Sequence, residues 1–270
     1  MASTGDHETT AEWRRWDGLN PEILALIFVR IKPVDQMVRA VTLVCKGWRE
    51  VVLGPYCWSE VDLKAWCRGR IDGLDVDLLV RKLVRRSKYS VERLSVYRIG
   101  ESAFFHVAHC GSFLKELQIP TSTITDQMVL KHLTPLPNLR VLDVSYCFRI
   151  TSKGLAAFGR RCDTLIHLRR NMPPITDGFP ATDDSEAKAI ADTMPNLYHI
   201  ELCFGQFGDP GLLEIVTTCK LLTYLDIEGC WNVELNGDVR VMCERLQQFH
   251  NPWVGDDSTS DDDETNTDSD

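Results

Sequence analysis

The side chains best equipped for chemistry in this 270-residue sequence are its ten cysteines and seven histidines. Such a mixture can supply a nucleophile with its base, or the ligands of a soft metal ion. Their spacing favours neither. No two cysteines form a C-x-x-C pair, and the tightest cluster, His106, His109 and Cys110, has no second Cys or His pair near it in sequence. These three are expected to mark a helix end. The sequence also lacks a G-x-S-x-G elbow, a G-x-x-x-x-G-K-[ST] phosphate loop, an H-E-x-x-H helix and a G-x-G-x-x-G turn. No catalytic residue, no cofactor and no metal is expected.

What the cysteines do possess is a period. Cys147 and Cys230 each stand eight residues after a leucine, Leu139 and Leu222, while Cys110, Cys162, Cys219 and Cys243 lie three or four residues before one. The surrounding pattern is an apolar residue, two variable ones, a second apolar residue, one variable and a third apolar residue. It recurs as Val91/Leu94/Val96, Leu114/Leu117/Ile119, Leu139/Leu142/Val144, Leu197/Ile200/Leu202 and Leu222/Leu225/Ile227, with Leu165/Leu168 and Leu246/Phe249 as incomplete copies. Successive starts are 23, 25, 26, 32, 25 and 24 residues apart. Alternation turns the apolar residues inward on a short strand, and the amphipathic segment that follows returns as a helix. Units of this kind bury their apolar row only by stacking, so the fold class is α/β: a solenoid of parallel strands with outer helices. The cysteines become small buried residues at turns.

The 32-residue step carries RRNMPPITDGFPATDD, in which Arg170 and Asn171 replace the third apolar residue and its neighbour, and Pro173, Pro174 and Pro180 forbid a regular strand. A projecting surface loop is expected. Residues 64–98 hold ten Lys or Arg against four Asp or Glu; Arg81, Lys82, Arg85 and Arg86 share one side of a helix whose other side carries Leu79, Leu83 and Val84. A solvated face is the simpler reading. Residues 256–270 contain eight acids and no base, so of the net charge of −9 the tail supplies −8 and leaves −1 for the rest. That tail, with Ser258, Thr259 and Ser260 as candidate phosphorylation sites, and residues 1–12 are expected to be disordered. No apolar run reaches the ~18 residues of a spanning helix and the N-terminus lacks a secretory pattern, which points to the cytoplasm or nucleus, with neither membrane nor nucleic acid as partner.

Residues 16–63 differ from the repeats. Ile23, Leu24, Ile27, Phe28 and Ile31, then Met37, Val38 and Val41, then Val44, Cys45, Trp48, Val51 and Val52 form three helical stripes. Pro21 suits a first helical turn, Pro33 stops the first helix, and Asp35 is placed to cap the second. So small a unit covers its apolar residues poorly, and something else should cover them.

The run Leu19, Glu22, Ile23, Leu24, Ile27, Phe28, followed by Val44, Cys45, Trp48 and later Trp58, resembles the F-box, although Asn20 holds the family's usual Pro position and Pro21 follows it. The Cys-bearing repeats resemble the cysteine-containing class of leucine-rich repeats, and the whole, from residue 16 to about 250, looks like the compact plant F-box proteins. The resemblance implies a substrate receptor of an SCF-type ubiquitin ligase, itself non-catalytic. Leu19, Pro21, Leu24, Ile27, Phe28, Val44, Cys45 and Trp48 would contact a Skp1-like adaptor, and through it a cullin-RING ligase, or support those contacts. The implied organisation is a disordered segment 1–12, an F-box at 13–63, a linking helical segment at 64–90, repeats at 91–255 and the tail at 256–270. On the strands the variable positions face the concave side. Tyr97, Asp143, Arg169, Glu201, Asp226 and Glu228 are the candidate contacts for an unknown target protein, on a face of net negative charge that should favour a partly basic patch. An interaction scaffold or a small-ligand sensor is the alternative, the latter disfavoured because so few repeats make an enclosed pocket hard to build.

Overall fold

A computed structural model describes residues 16–31, 34–68, 73–174 and 181–253 of the chain. The expectations for residues 1–12, Pro33, Pro180 and the acidic tail fall outside them.

After a 3-10 turn at Trp16–Gly18 come three eight-residue helices: α1 (Pro21–Phe28), α2 (Val34–Val41) and α3 (Lys46–Leu53). The Asn20-Pro21 order has a local cause. Asn20 is the N-cap, its Oδ1 accepting the Glu22 N–H at 2.8 Å, and Pro21 takes the next position, where its missing N–H costs nothing. Asp35, expected as a cap, lies one residue inside α2. Cys45 caps α3, its Sγ accepting the Trp48 N–H at 3.4 Å. Leu24, Phe28, Met37, Val41, Val51 and Val52 are buried between these helices, and the Trp48 ring tilts against Phe28 with centroids 4.9 Å apart.

The rest is one sheet of eight parallel strands in sequence order: β1 (Glu60–Asp62), β2 (Arg93–Ser95), β3 (Glu116–Gln118), β4 (Val141–Asp143), β5 (His167–Arg169), β6 (His199–Glu201), β7 (Tyr224–Asp226) and β8 (Gln248–His250). Between them run α4 (Lys64–Arg68), α5 (Gly73–Arg86), α6 (Glu101–Ala108), α7 (Asp126–His132), α8 (Ser152–Arg161), α9 (Ser185–Thr193), α10 (Asp209–Thr218) and α11 (Asp238–Glu244). Every strand is three residues long, and the register pairs middle residues with one another: Val61, Leu94, Leu117, Leu142, Leu168, Ile200, Leu225 and Phe249. All but Phe249 are buried, each contributing about 2 kcal/mol through side chain removed from water. The incomplete copies at Leu165/Leu168 and Leu246/Phe249 are therefore real strands.

The helical start and the sheet overlap in sequence. The repeats start at β1, within the segment assigned to the F-box, because Trp58, Val61 and Leu63 form one more copy of the apolar pattern and all three are buried. The helices α4 and α5 accordingly follow β1 as the helices of later repeats follow their strands, and α5 packs along α6.

Two devices lock repeat to repeat. An aspartate near the start of one helix accepts N–H groups from the turn that begins the next. Asp77 takes Gly100 and Ala103, Asp126 takes Thr151, Asp184 takes Gly208, and Asp209 takes Glu234, Leu235 and Asn236. Three residues past the strand, Arg98, Thr121, Tyr146, Phe204 and Gly229 all adopt positive φ. Each keeps its N–H on the neighbouring repeat, for example Tyr146 on Asn171 O at 2.8 Å and Phe204 on Glu228 O at 2.8 Å. The hydrogen bonds offset the strain of left-handed backbone at four residues that are not glycine.

Candidate docking and target-binding surfaces

The eight residues expected to meet the adaptor divide into three sets. Pro21, Ile27 and Val44 are exposed; Leu19, Cys45 and Trp48 are half-buried; Leu24 and Phe28 are sealed into the helical core. The last two support the surface without presenting themselves on it. Further exposed apolar side chains were not singled out by the motif. Leu26 is 65% exposed and Leu43 85%, the highest of any large apolar residue described. Ile23, Leu26 and Ile27, three and four positions apart, share one face of α1, while Leu43 and Val44 stand on the turn between α2 and α3. The signal for Leu43 lay in the sequence: it precedes the cap of α3, where periodicity no longer directs a side chain inward.

The strand face is less acidic than its composition implies. Arg93 bridges Glu60 and Glu116, Lys64 Nζ donates to Gln118, and Arg169 Nε donates to Glu201 Oε1 at 2.8 Å. Asp143 is corrected as a contact. Only 8% exposed, it turns back so that Oδ1 accepts the Ser145 N–H at 3.0 Å. Asp226 does the same for the Glu228 N–H at 3.1 Å and lies 3.5 Å from His250 Nδ1. Tyr97 and Glu228 are half-buried. Arg169, Glu201 and Asp226 are brought together on β5, β6 and β7, whereas Tyr97 sits three strands away beyond β2.

A column of rings crosses the same face. His167 and His199 have centroids 3.8 Å apart, His199 and Tyr224 are stacked at 3.8 Å with planes 5° apart, and His250 tilts against Tyr224 at 5.4 Å. Burial holds the His199 ring below its usual pKa although Glu201 pulls the other way. Burial alone would raise Glu201, but the neighbouring His167 ring, 3.8 Å away, and the hydrogen bonds from Arg169 and His199 dominate and keep it far below the usual carboxylate range.

Arg170 explains the odd repeat. It occupies the position of the third apolar residue, is 3% exposed, and spends all its donors. Nε and Nη2 reach Glu186 at 3.1 and 2.9 Å, Nη2 reaches Ile150 O at 2.7 Å, and Nη1 reaches Cys147 O and Val144 O at 3.3 and 3.5 Å. Beside it a cleft of about 360 Å³ opens between Phe148, Met172, Pro173, Phe204 and Phe207.

The cysteine cluster and its neighbours behave as a helix end. His106 lies in the last turn of α6, His109 caps it, and the Cys110 thiol donates to His106 O at 3.9 Å. In the repeats the Cys147 and Cys230 thiols donate to Ile119 O and Leu202 O, equivalent carbonyls one repeat back, at 3.3 and 3.1 Å. Burial pushes these two thiols up to about 11 and about 12, where the reactive thiolate is scarce.

With that geometry in place, comparison with known proteins is informative. An F-box-like family model matches residues 16–64. Arabidopsis thaliana F-box protein FBW2 is 34% identical over 91% of this chain and 81% of its own length, and F-box protein SKIP19 from the same plant 31% identical over 86% and 75%. The putative F-box/LRR-repeat protein 23 is 30% identical over 90% of this chain and 55% of its own length. The chain thus belongs to the plant F-box proteins with leucine-rich repeats, a family whose general role is that of substrate receptor in SCF-type ubiquitin ligases.

Proposed function

We propose that Ile27, Leu43 and Val44, with Ile23 and Leu26 beside them, dock a Skp1-type adaptor, while the strand face around Arg169, Glu201 and Asp226 receives a target protein. The observation that carries the docking half is the exposure of these five apolar side chains in a region of three eight-residue helices, which a partner's apolar surface would cover at a gain of roughly 25 cal/mol per Å². The chain supplies proximity and orientation to a ligase whose chemistry lies in other subunits.

The test separates contact from support. Truncating Trp48 would disturb Phe28 and confound folding with binding, so the substitutions belong at Leu43 and Val44. Leu43→Asp with Val44→Asp should weaken capture of a purified Skp1-type adaptor by about 100-fold, or ~2.7 kcal/mol, at an unchanged melting temperature. Undiminished capture by the folded double variant refutes the docking surface.

A further inference from the structure

We infer that His167, His199 and Glu201 form a half-buried binding site for a divalent transition-metal ion of the zinc class, held on β5 and β6. The site lies on the face proposed for the target, but nothing in its argument depends on that role.

The register makes it. His167 pairs with His199 and Arg169 with Glu201 across adjacent parallel strands, so two imidazoles stand side by side with a carboxylate two residues along the same face. Their donor atoms all lie within 4.8 Å of one another. His199 Nε2 is 2.8 Å from Glu201 Oε1 and His167 Nε2 is 3.8 Å from the same oxygen. A tetrahedral ion with bonds of about 2.0–2.1 Å sets its ligand atoms roughly 3.3–3.4 Å apart, between those two separations. Two histidines and one carboxylate also match the ligand chemistry of zinc and of non-haem iron.

A second observation points at a missing occupant. His167 Nε2 is buried and has no hydrogen-bond partner, a condition that native structures rarely tolerate without a reason. At 3.8 Å from the carboxylate it is beyond hydrogen-bonding reach, yet it lies with the other two donor atoms inside one 4.8 Å cluster, and with the rings tilted 32° apart a modest rotation of the imidazoles would bring both nitrogens onto a shared ion. The Glu201 carboxylate already holds one cation, the Arg169 guanidinium, at 2.8 Å. That side chain is one third exposed, so it can swing outward when a dication takes its place. Three protein ligands leave a fourth position for water or for a donor atom of a bound partner.

The experiment uses the full chain, freed of any affinity tag, titrated with Co²⁺ and followed by its ligand-field absorption, then back-titrated with Zn²⁺. One equivalent of Co²⁺ should bind with the spectrum of nitrogen and oxygen ligands and be displaced by Zn²⁺. His167→Ala with His199→Ala should cost more than the roughly 10–100-fold that changes outside the ligand set produce, with the thermal melt confirming the fold. Arg169→Ala should bind more tightly, since the competing cation is gone. The proposal is overturned by the absence of saturable one-to-one binding, by thiolate-to-cobalt charge-transfer bands, by binding that survives the double histidine variant, or by weaker binding in Arg169→Ala.

Discussion

The helical start of the chain and the solenoid solve the same problem in opposite ways. From Trp16 to Tyr56 eight large apolar side chains are at least 40% exposed, against nine across the far longer described stretch from Glu60 to Trp253. The solenoid hides its apolar row because each repeat presents the next with a matching one, and a middle residue is buried on nearly every strand. Three helices of eight residues have no such neighbour on their outer side. One region therefore completes itself while the other leaves apolar surface open for the docking proposed above, and on that proposal substitutions should damage stability in the first and association in the second.

The sharpest contrast is available at the centre of the sheet. Leu168→Ala leaves a cavity between Leu142 and Ile200 and should cost about 3–5 kcal/mol in denaturant unfolding, with adaptor affinity unchanged at temperatures where the variant is folded. A loss below about 1 kcal/mol would mean that the repeats yield where their packing says they cannot.

Arg170 tests whether the odd repeat obeys the same rule. Arg170→Leu restores the apolar type of neighbouring repeats but abandons Glu186 and three carbonyls. Glu186 is one third exposed, so the charge penalty is moderated and a loss of about 2–4 kcal/mol is expected. Arg170→Lys should not rescue it, because a single ammonium cannot replace the fork. A fully stable leucine variant would show that the polar knot is dispensable.

The smallest effect is a pH dependence confined to the solenoid. His106 is buried between Tyr89 and Arg85, its Nδ1 3.2 Å from the Tyr89 hydroxyl and its Nε2 3.5 Å from Arg85 Nη2. Burial, then Arg85, Arg81 and His109, hold its pKa below the usual 6.5. The unfolded chain thus takes up the proton first: stability is fully present above about pH 6.5 and is lost as pH falls through the lower folded value. The melting temperature should drop between about pH 7 and pH 5, and His106→Gln should flatten that part of the curve. An equal drop in both proteins would place the titration elsewhere.

Much of this was legible in the residues, and what escaped did so for identifiable reasons. The spacing of leucines gives six of the eight strands, and Phe249 gives the last. Trp58/Val61/Leu63 carries the pattern 33 residues before Val91, but Trp58 also fits the docking motif, and one residue serving two structures was assigned to only one. Sequence pattern marks which side chains are apolar, not which remain uncovered. Phe28 and Ile27 are adjacent in the same motif, yet one is 1% and the other 40% exposed. Asp143 was misread because a carboxylate two residues before a free N–H prefers to close a turn. His167 and His199 stand at the same offset, two residues after Leu165 and Leu197, so their adjacency was encoded in the period, although the Pro-rich insert makes them look remote.

Trp58 itself is nearly sealed at 1% exposure, with its Nε1 donating to Val52 O at the end of α3 at 2.9 Å and the Arg86 guanidinium 5.5 Å above its ring. It stands between α3 and β1, closing the docking motif and opening the apolar pattern of the first repeat, so the joint between handle and cradle is a packed one. If the strand face carries a target as proposed, a receptor hinged there would let ubiquitin sample many lysines of its cargo, whereas one welded there would work like a fixed jig, in which the choice of lysine is made by where the cargo's own surface happens to fall.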